Sequence, residues 1–247
     1  LGSASFLLGH SHPEVVEALM QAAPSGSHYG APVEKVLEWG ERVCNLIPSA
    51  EKVRFVGSGA ESTSLAIRIA RAYSQKEVII RWESHYHGWH DYVMPGNLSP
   101  FDVPGSTGIP QGVIDSVIVL PPDLDALEKT LASRNDIAGV ITEGSGASYG
   151  TVPLADGFVK GVRDLTQKYG VVMILDEVIT GFRIAYGGCK EYYGVEPDLV
   201  TYGKAIGGGL PIGAVGGRKN IMDTFSGADG APFIFTGGTF SGNPLTM

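Results

Sequence analysis

Val171-Val-Met-Ile-Leu-Asp176-Glu177 is an unbroken apolar run that ends in two carboxylates. A run this short and this rich in β-branched residues, with no polar alternation, reads as a strand covered on both faces, the signature of a parallel sheet. Adjacent strand residues point to opposite faces, so Asp176 and Glu177 diverge and cannot form a close acid/base dyad. One of the two faces a ligand side.

Outward from this run the pattern repeats. Short β-rich stretches at 52–56, 77–82, 116–120, 137–143, 171–176, 199–202 and 213–215 alternate with helical periodicity at 60–73, 123–133 and 156–169. Two amphipathic helices precede them, at 13–23 and 32–47, the first with Pro13 in its first turn. The expected fold class is therefore α/β, a mostly parallel central sheet with helices on both faces. Such folds bind ligands beyond the carboxyl ends of the strands. Polar or glycine-rich residues follow those ends: Gly57-Ser-Gly59, Glu83-Ser-His-Tyr-His87, Glu143, Asp176-Glu177 and Gly203-Lys204. One crevice could collect them all. Residues 95–113, rich in Gly, Pro and Ser, read equally well as a gate over that crevice or as a surface insertion. The expected organisation is an N-terminal helical segment, 1–50, leading into one large domain, 51–247.

Composition narrows the function classes. With 43% hydrophobic residues in 247, the chain can bury a large core, which excludes a disordered or fibrous protein. Its 35 glycines, with no collagen-like period, point to tight turns and close ligand approaches. A net charge of −8 argues against nucleic acid or an anionic membrane as partner and favours a small-molecule substrate. Cys44 and Cys189 are isolated, which suits a reducing, cytoplasmic compartment. The first residues have no basic region leading into an apolar stretch, so no signal peptide is expected, and the chain reads as an internal fragment.

Each motif has a bland alternative. Phe55-Val-Gly-Ser58-Gly59-Ala60-Glu61-Ser62 is a strand, a glycine turn and a helix start, where free N–H groups can hold a phosphate. The alternative is a tight turn capped by Ser58. A dinucleotide fingerprint would need glycine where Ser62 stands, and a P-loop would need Ser or Thr where Ala205 stands. Lys204 sits where partial desolvation would make its amine nucleophilic, although a solvated surface lysine is the commoner case. His85-Tyr-His87-Gly-Trp89-His90-Asp91 resembles a metallohydrolase cluster, but Trp89 occupies the position an Asp would take and no histidine follows His90. Gly146-Ala-Ser148-Tyr-Gly150 matches a serine-hydrolase elbow without the helix expected after the serine. Arg68 and Arg71, at helical spacing, read as a solvated face, and Arg183 as structural.

Asp176-Glu-Val-Ile-Thr-Gly-Phe-Arg183, Pro197-Asp-Leu199 with Gly203-Lys204 and Gly207-Gly-Gly-Leu-Pro211, and Gly238-Thr239 with Ser241-Gly-Asn-Pro244 stand in family order. Through them the chain resembles the class III aminotransferases, among them glutamate-1-semialdehyde 2,1-aminomutase and its relatives. The resemblance implies pyridoxal 5'-phosphate (PLP) as cofactor and the large domain of the corresponding fold, with a small C-terminal domain absent. It implies that Lys204 forms the Schiff base and that Asp176 pairs with the pyridine nitrogen. Ser58, Gly59 and Ala60 would lie at the phosphate, Tyr86 and Val178 on the two ring faces, and His87 and Glu143 nearby. Thr239 would reach in from the neighbouring subunit of a homodimer. The implied activity is amino-group transfer on an amino acid or amine-bearing acid. Intramolecular transfer by an aminomutase, or a non-catalytic homologue that only binds PLP, are the alternatives. Two departures from the family pattern stand out: Ala60 replaces a threonine, and Gly144-Ser-Gly-Ala-Ser148 replaces Pro-Val-Ala-Gly-Asn after Glu143.

Overall fold

The computed structural model describes residues 4–47, 50–225 and 233–247. Helices α1 (Pro13–Ala22) and α2 (Glu34–Leu46) lead into β1 (Lys52–Val56) and α3 (Gly59–Ser74). Then come β2 (Val78–Trp82), α4 (Gln111–Ile114), β3 (Val117–Leu120), α5 (Leu124–Ser133), β4 (Ile137–Glu143), α6 (Ala147–Gly150) and α7 (Phe158–Tyr169). The chain continues through β5 (Val172–Asp176), α8 (Gly188–Tyr193), β6 (Leu199–Tyr202), β7 (Gly213–Gly217) and α9 (Lys219–Met222). The strands form one sheet in the order β1-β7-β6-β5-β4-β2-β3. All neighbouring pairs are parallel except those of β7, which runs antiparallel to both β1 and β6. The expected mostly parallel α/β sheet is what forms, with one reversed strand.

Alternate residues of the central strands feed two separate cores. Ile79, Ile141, Val172 and Ile174 pack on the face covered by α3, with Leu65, Ile69 and Val215. Ile80, Val140, Met173 and Leu175 pack on the other face, with Phe158 and Val162 of α7 and Leu127 of α5. This period of two, apolar on both sides, is why the strand runs are continuous in sequence. Helix α3 crosses one face against β7, β6, β5 and β4, which carries its N-terminus to the carboxyl ends of the strands. Helix α2 packs on β1 through Val43 and Trp39 of the opposite core. No helix among the described residues is long and apolar enough to cross a membrane.

Arg71 corrects the solvated-face reading. Its Nε donates to the Glu77 carbonyl at 2.7 Å, its guanidinium reaches Ser116 Oγ at 3.1 Å, and it lies 4.0 Å over the Tyr92 ring. Arg71 therefore ties α3 to the segment before β3, while Arg68, one turn earlier, is exposed. Helical spacing alone cannot separate these cases, because the second partner, Ser116, lies far along the chain.

Gly213, the first residue of β7, has no room for a side chain. A Cβ there would lie 2.1 Å from the Ser58 carbonyl oxygen and 2.3 Å from Ser62 Oγ. The first obstacle is backbone and cannot rotate away. Gly213→Ala is expected to cost about 1–3 kcal/mol, as overpacking of a tight core does. In thermal unfolding that is a loss of several degrees for a chain of this size.

Candidate active site

The turn from β1 into α3 is built by its own side chains. Ser58 Oγ accepts from the Glu61 N–H at 3.2 Å, capping α3, and the Glu61 carboxylate accepts from the Gly57 N–H at 2.5 Å. The first-turn N–H groups at Gly59 and Ala60 have no carbonyl partner one turn back, so they and the helix dipole face outward. Gly59 is wedged in place: a Cβ there would lie 2.8 Å from Val178 Cγ1.

Beyond the strand ends, a cavity of about 180 Å³ is lined by Gly59, Ala60, Tyr86, His87, Gly88, Glu143, Asp176, Val178, Ile179 and Lys204. Eight of the residues expected from sequence thus meet in one place: Gly59, Ala60, Tyr86, His87, Glu143, Asp176, Val178 and Lys204. Ser58 is not among the lining residues, because its side chain serves the helix cap. Thr239 lines a separate groove of about 980 Å³ between α2 and residues 237–244. Gly88 and Ile179 were not singled out from sequence. Gly88 adopts φ +103°, and a Cβ on it would lie 2.8 Å from that of Ala60.

Asp176 ends β5 on the α3 face, in the same alternation as Val172 and Ile174, and it is 4% exposed. It accepts from the Val178 N–H at 3.1 Å, Thr201 Oγ1 at 2.9 Å and His87 Nδ1 at 2.7 Å. Glu177 points to the opposite face, where it accepts from Thr180 Oγ1 and from the N–H groups of Cys189 and Lys190. The two carboxylates diverge, as the strand geometry requires. Lys204 follows β6 in left-handed backbone at φ +49°, a conformation costly for a residue with a side chain. Burial pushes its ammonium below the ordinary lysine value, against the attraction of Asp176 and Glu143.

The segment after β2 is clasped from several sides. Buried Arg81 donates to the carbonyls of Val93, Trp82 and His85. Thr63 Oγ1 donates to the His87 carbonyl at 2.5 Å and lies 3.1 Å from His90 Nε2. The Glu143 N–H donates to His85 Nδ1 at 3.1 Å, and the Tyr86 N–H donates back to Glu143 Oε1 at 2.5 Å. His85 Nδ1 thus faces a backbone N–H, His87 Nδ1 faces Asp176 and His90 Nε2 faces Thr63, and no group of three metal-binding side chains converges among the described residues. Arg81, Thr63 and Thr201 carry no sequence signal for these roles. Residues 95–113 are rooted beside this segment through Ser84 N–H to the Gly96 carbonyl at 2.8 Å and a Pro95–Pro104 bridge. No helix starts at 150–153, as expected, although a short one contains Ser148. It begins one residue earlier and lasts only four residues, and residues 144–146 separate it from β4, so it is not a strand–serine–helix elbow. Arg183 donates to the carbonyls of Ile179 and Ala4, in keeping with a structural role.

Buried titrating groups give the stability a maximum near neutral pH. Burial lowers His85 to about 2 and His90 to about 4, and lowers His87 as well. Below the ordinary histidine value the unfolded chain binds these protons and the folded chain does not, so stability is lost as pH falls. Burial raises Glu143 to about 8 and also raises Glu177. Between the ordinary glutamate value and pH 8 the folded chain keeps protons that the unfolded chain has released, so stability falls as pH rises toward 8. Urea unfolding across pH 4–8 is expected to peak near 6.5, and a monotonic rise to pH 8 would contradict the buried acid.

A family model described as aminotransferase class-III matches residues 1–247. The chain belongs to the class III aminotransferase family. Among curated relatives, this family member is 46% identical to the glutamate-1-semialdehyde 2,1-aminomutase of Sulfurisphaera tokodaii, over 100% of its own length and 59% of that protein. It is 44% identical to the enzyme of the same name from Desulfotalea psychrophila, over 98% of its length and 56% of the relative. The chain thus spans rather more than half the length of the curated relatives it matches. Its fold superposes on an omega-transaminase from Sphaerobacter thermophilus with TM-score 0.90 and 36% identity, covering 99% of this chain and 58% of that one. It also superposes, with TM-score 0.90 and 32% identity, on a structure described as a transaminase with PLP bound, covering 99% and 58% of the two chains.

Proposed function

We propose that this chain carries out PLP-dependent amino-group transfer on an amino acid or amine-bearing acid, with Lys204 as the attachment point and Asp176 at the pyridine nitrogen. The observation that carries this reading is one small cavity shared by a desolvated lysine, a buried carboxylate with three donors, and the open N-terminus of a long helix.

The residues fit the cofactor group by group. The N–H groups of Gly59 and Ala60, in the turn capped by Ser58, suit a phosphate dianion. Ala60 offers no hydroxyl there, which leaves the phosphate to backbone donors. Tyr86 supplies an aromatic surface and Val178 an aliphatic one. His87 Nε2 is buried without a partner among the described residues, so the ring is free to keep its proton on Nδ1, directed at Asp176. PLP, when bound, supplies an electron sink that stabilises negative charge on the carbon next to the substrate nitrogen. Asp176 holds a proton at the ring nitrogen, which keeps that sink effective. Lys204, less basic than a solvated lysine, is the group in position to take a proton from the substrate carbon and return it. Val178 and Ile179 limit water around that exchange.

Thr239 lies outside the cavity that its own chain lines, and exposed Phe233, Phe235 and Phe240 flank it. Both features support a homodimer in which Thr239 of the partner subunit completes the phosphate site. Two free cysteines, Cys44 and Cys189, suit a reducing cytoplasm. The 44–46% identities favour a second reading, intramolecular 2,1-transfer on glutamate-1-semialdehyde. The test is PLP titration followed by visible absorption, then turnover of glutamate-1-semialdehyde with and without an added amino donor. Uptake of PLP with no turnover on any donor would leave a binding protein and overturn the catalytic reading.

A further inference from the structure

Glu143 and Asp176 are register partners at the ends of the adjacent parallel strands β4 and β5. Register partners in parallel strands project to the same face, so two carboxyl groups enter the cavity side by side, both nearly buried. Two buried neighbouring carboxyls cannot both ionise without a large cost, and the donors around them decide which one keeps the proton. Among the described residues, three donors are directed at Asp176 and one N–H, that of Tyr86, at Glu143.

The geometry points to an unequal division of one proton, with Asp176 the anion and Glu143 a neutral acid that donates a hydrogen bond to an oxygen acceptor on the molecule bound in the cavity. The proton assignment belongs to the chain itself; only the identity of the acceptor rests on the cavity taking PLP. The groups facing Glu143 from each neighbouring element agree with it. Asp176 on β5 disfavours a second negative charge, while Arg81 of β2 and Lys204 after β6 oppose it. His85 and His87 add no cation, since burial keeps both neutral. The balance leaves the Glu143 carboxyl raised to about 8, with burial the largest cause and Asp176 the next.

Infrared difference spectra of ligand-free protein test the proton directly. The protein at pH 6.5 should show a protonated-carboxyl band that is missing from Glu143→Gln and that titrates away near pH 8. An identical band in both proteins would overturn the assignment. PLP titration then tests the donor. Glu143→Gln keeps the shape and a donor, and should bind within about threefold of wild type. Glu143→Leu keeps the bulk without a donor and should bind about tenfold more weakly, the loss expected for one hydrogen bond. Equal weakening in both variants would mean that a charge, not a neutral donor, is required. If the wild type failed to take up PLP, the cofactor reading would fall, and the infrared result would still decide where the proton sits.

Discussion

Lys204→Ala is expected to abolish amino transfer while leaving the protein folded. The loss should be roughly 10²–10⁴-fold from the missing base alone, and larger because the same amine is the proposed attachment point. Stability should hold or rise slightly, since the substitution removes a partly desolvated amine and leaves the left-handed backbone at φ +49° no worse occupied. The check is turnover beside a thermal melt and a visible spectrum with PLP. An unchanged melt, no lysine-linked band and no turnover are the expected set. Turnover within tenfold of wild type would remove Lys204 from the mechanism.

Asp176→Asn separates charge from shape. The amide oxygen can still accept from Val178 N–H and Thr201 Oγ1. The new amide N–H can face His87 Nδ1 if the imidazole moves its proton to Nε2, the nitrogen with no partner among the described residues. Folding should therefore survive with a change of about 1 kcal/mol or less, the scale of one exchanged neutral hydrogen bond. Function should not survive intact. A hydrogen bond to a charged group contributes about 1.5–3 kcal/mol, which corresponds to roughly 10- to 150-fold in kcat/KM, with weaker PLP affinity besides. Activity within threefold of wild type would show that no anion is needed at that position.

The central strands were legible because each is a short apolar run buried on both faces, and 52–56, 137–143 and 199–202 match the observed strand ends. Other elements moved by one or two residues at an end; helix α2, for instance, starts at Glu34 rather than 32, since the helical periodicity runs on past the capping residue Val33. The reversal of β7 was not legible: Gly213-Ala-Val-Gly-Gly217 says only that a strand passes through a place with no room for side chains. Within the site, residues whose chemistry shows in their side chains, Lys204, Asp176, Glu143 and His87, could be found by their position after strand ends. The residues that hold them could not. Arg81 looks like a surface charge on a strand, and Thr63 and Thr201 like ordinary helix and strand residues. Each acts through a partner 12 or more residues away, and a single sequence does not reveal such pairings.

The divergence of Asp176 and Glu177 also bears on what kinds of genetic change the gene can absorb. Both faces of β5 are apolar, so the hydrophobic pattern would accept a slip of one residue almost as well as the native alignment. What would change is the destination of the acids: a one-codon deletion within 172–175 would put the glutamate at the cavity position and the aspartate one place earlier, where Leu175 sits in the opposite apolar core. The three donors that Glu177 now receives would lose their acceptor, and a carboxylate would be buried among apolar side chains. Point changes in the strand are therefore graded in effect, whereas a frame-preserving deletion of a single residue moves both carboxylates at one stroke.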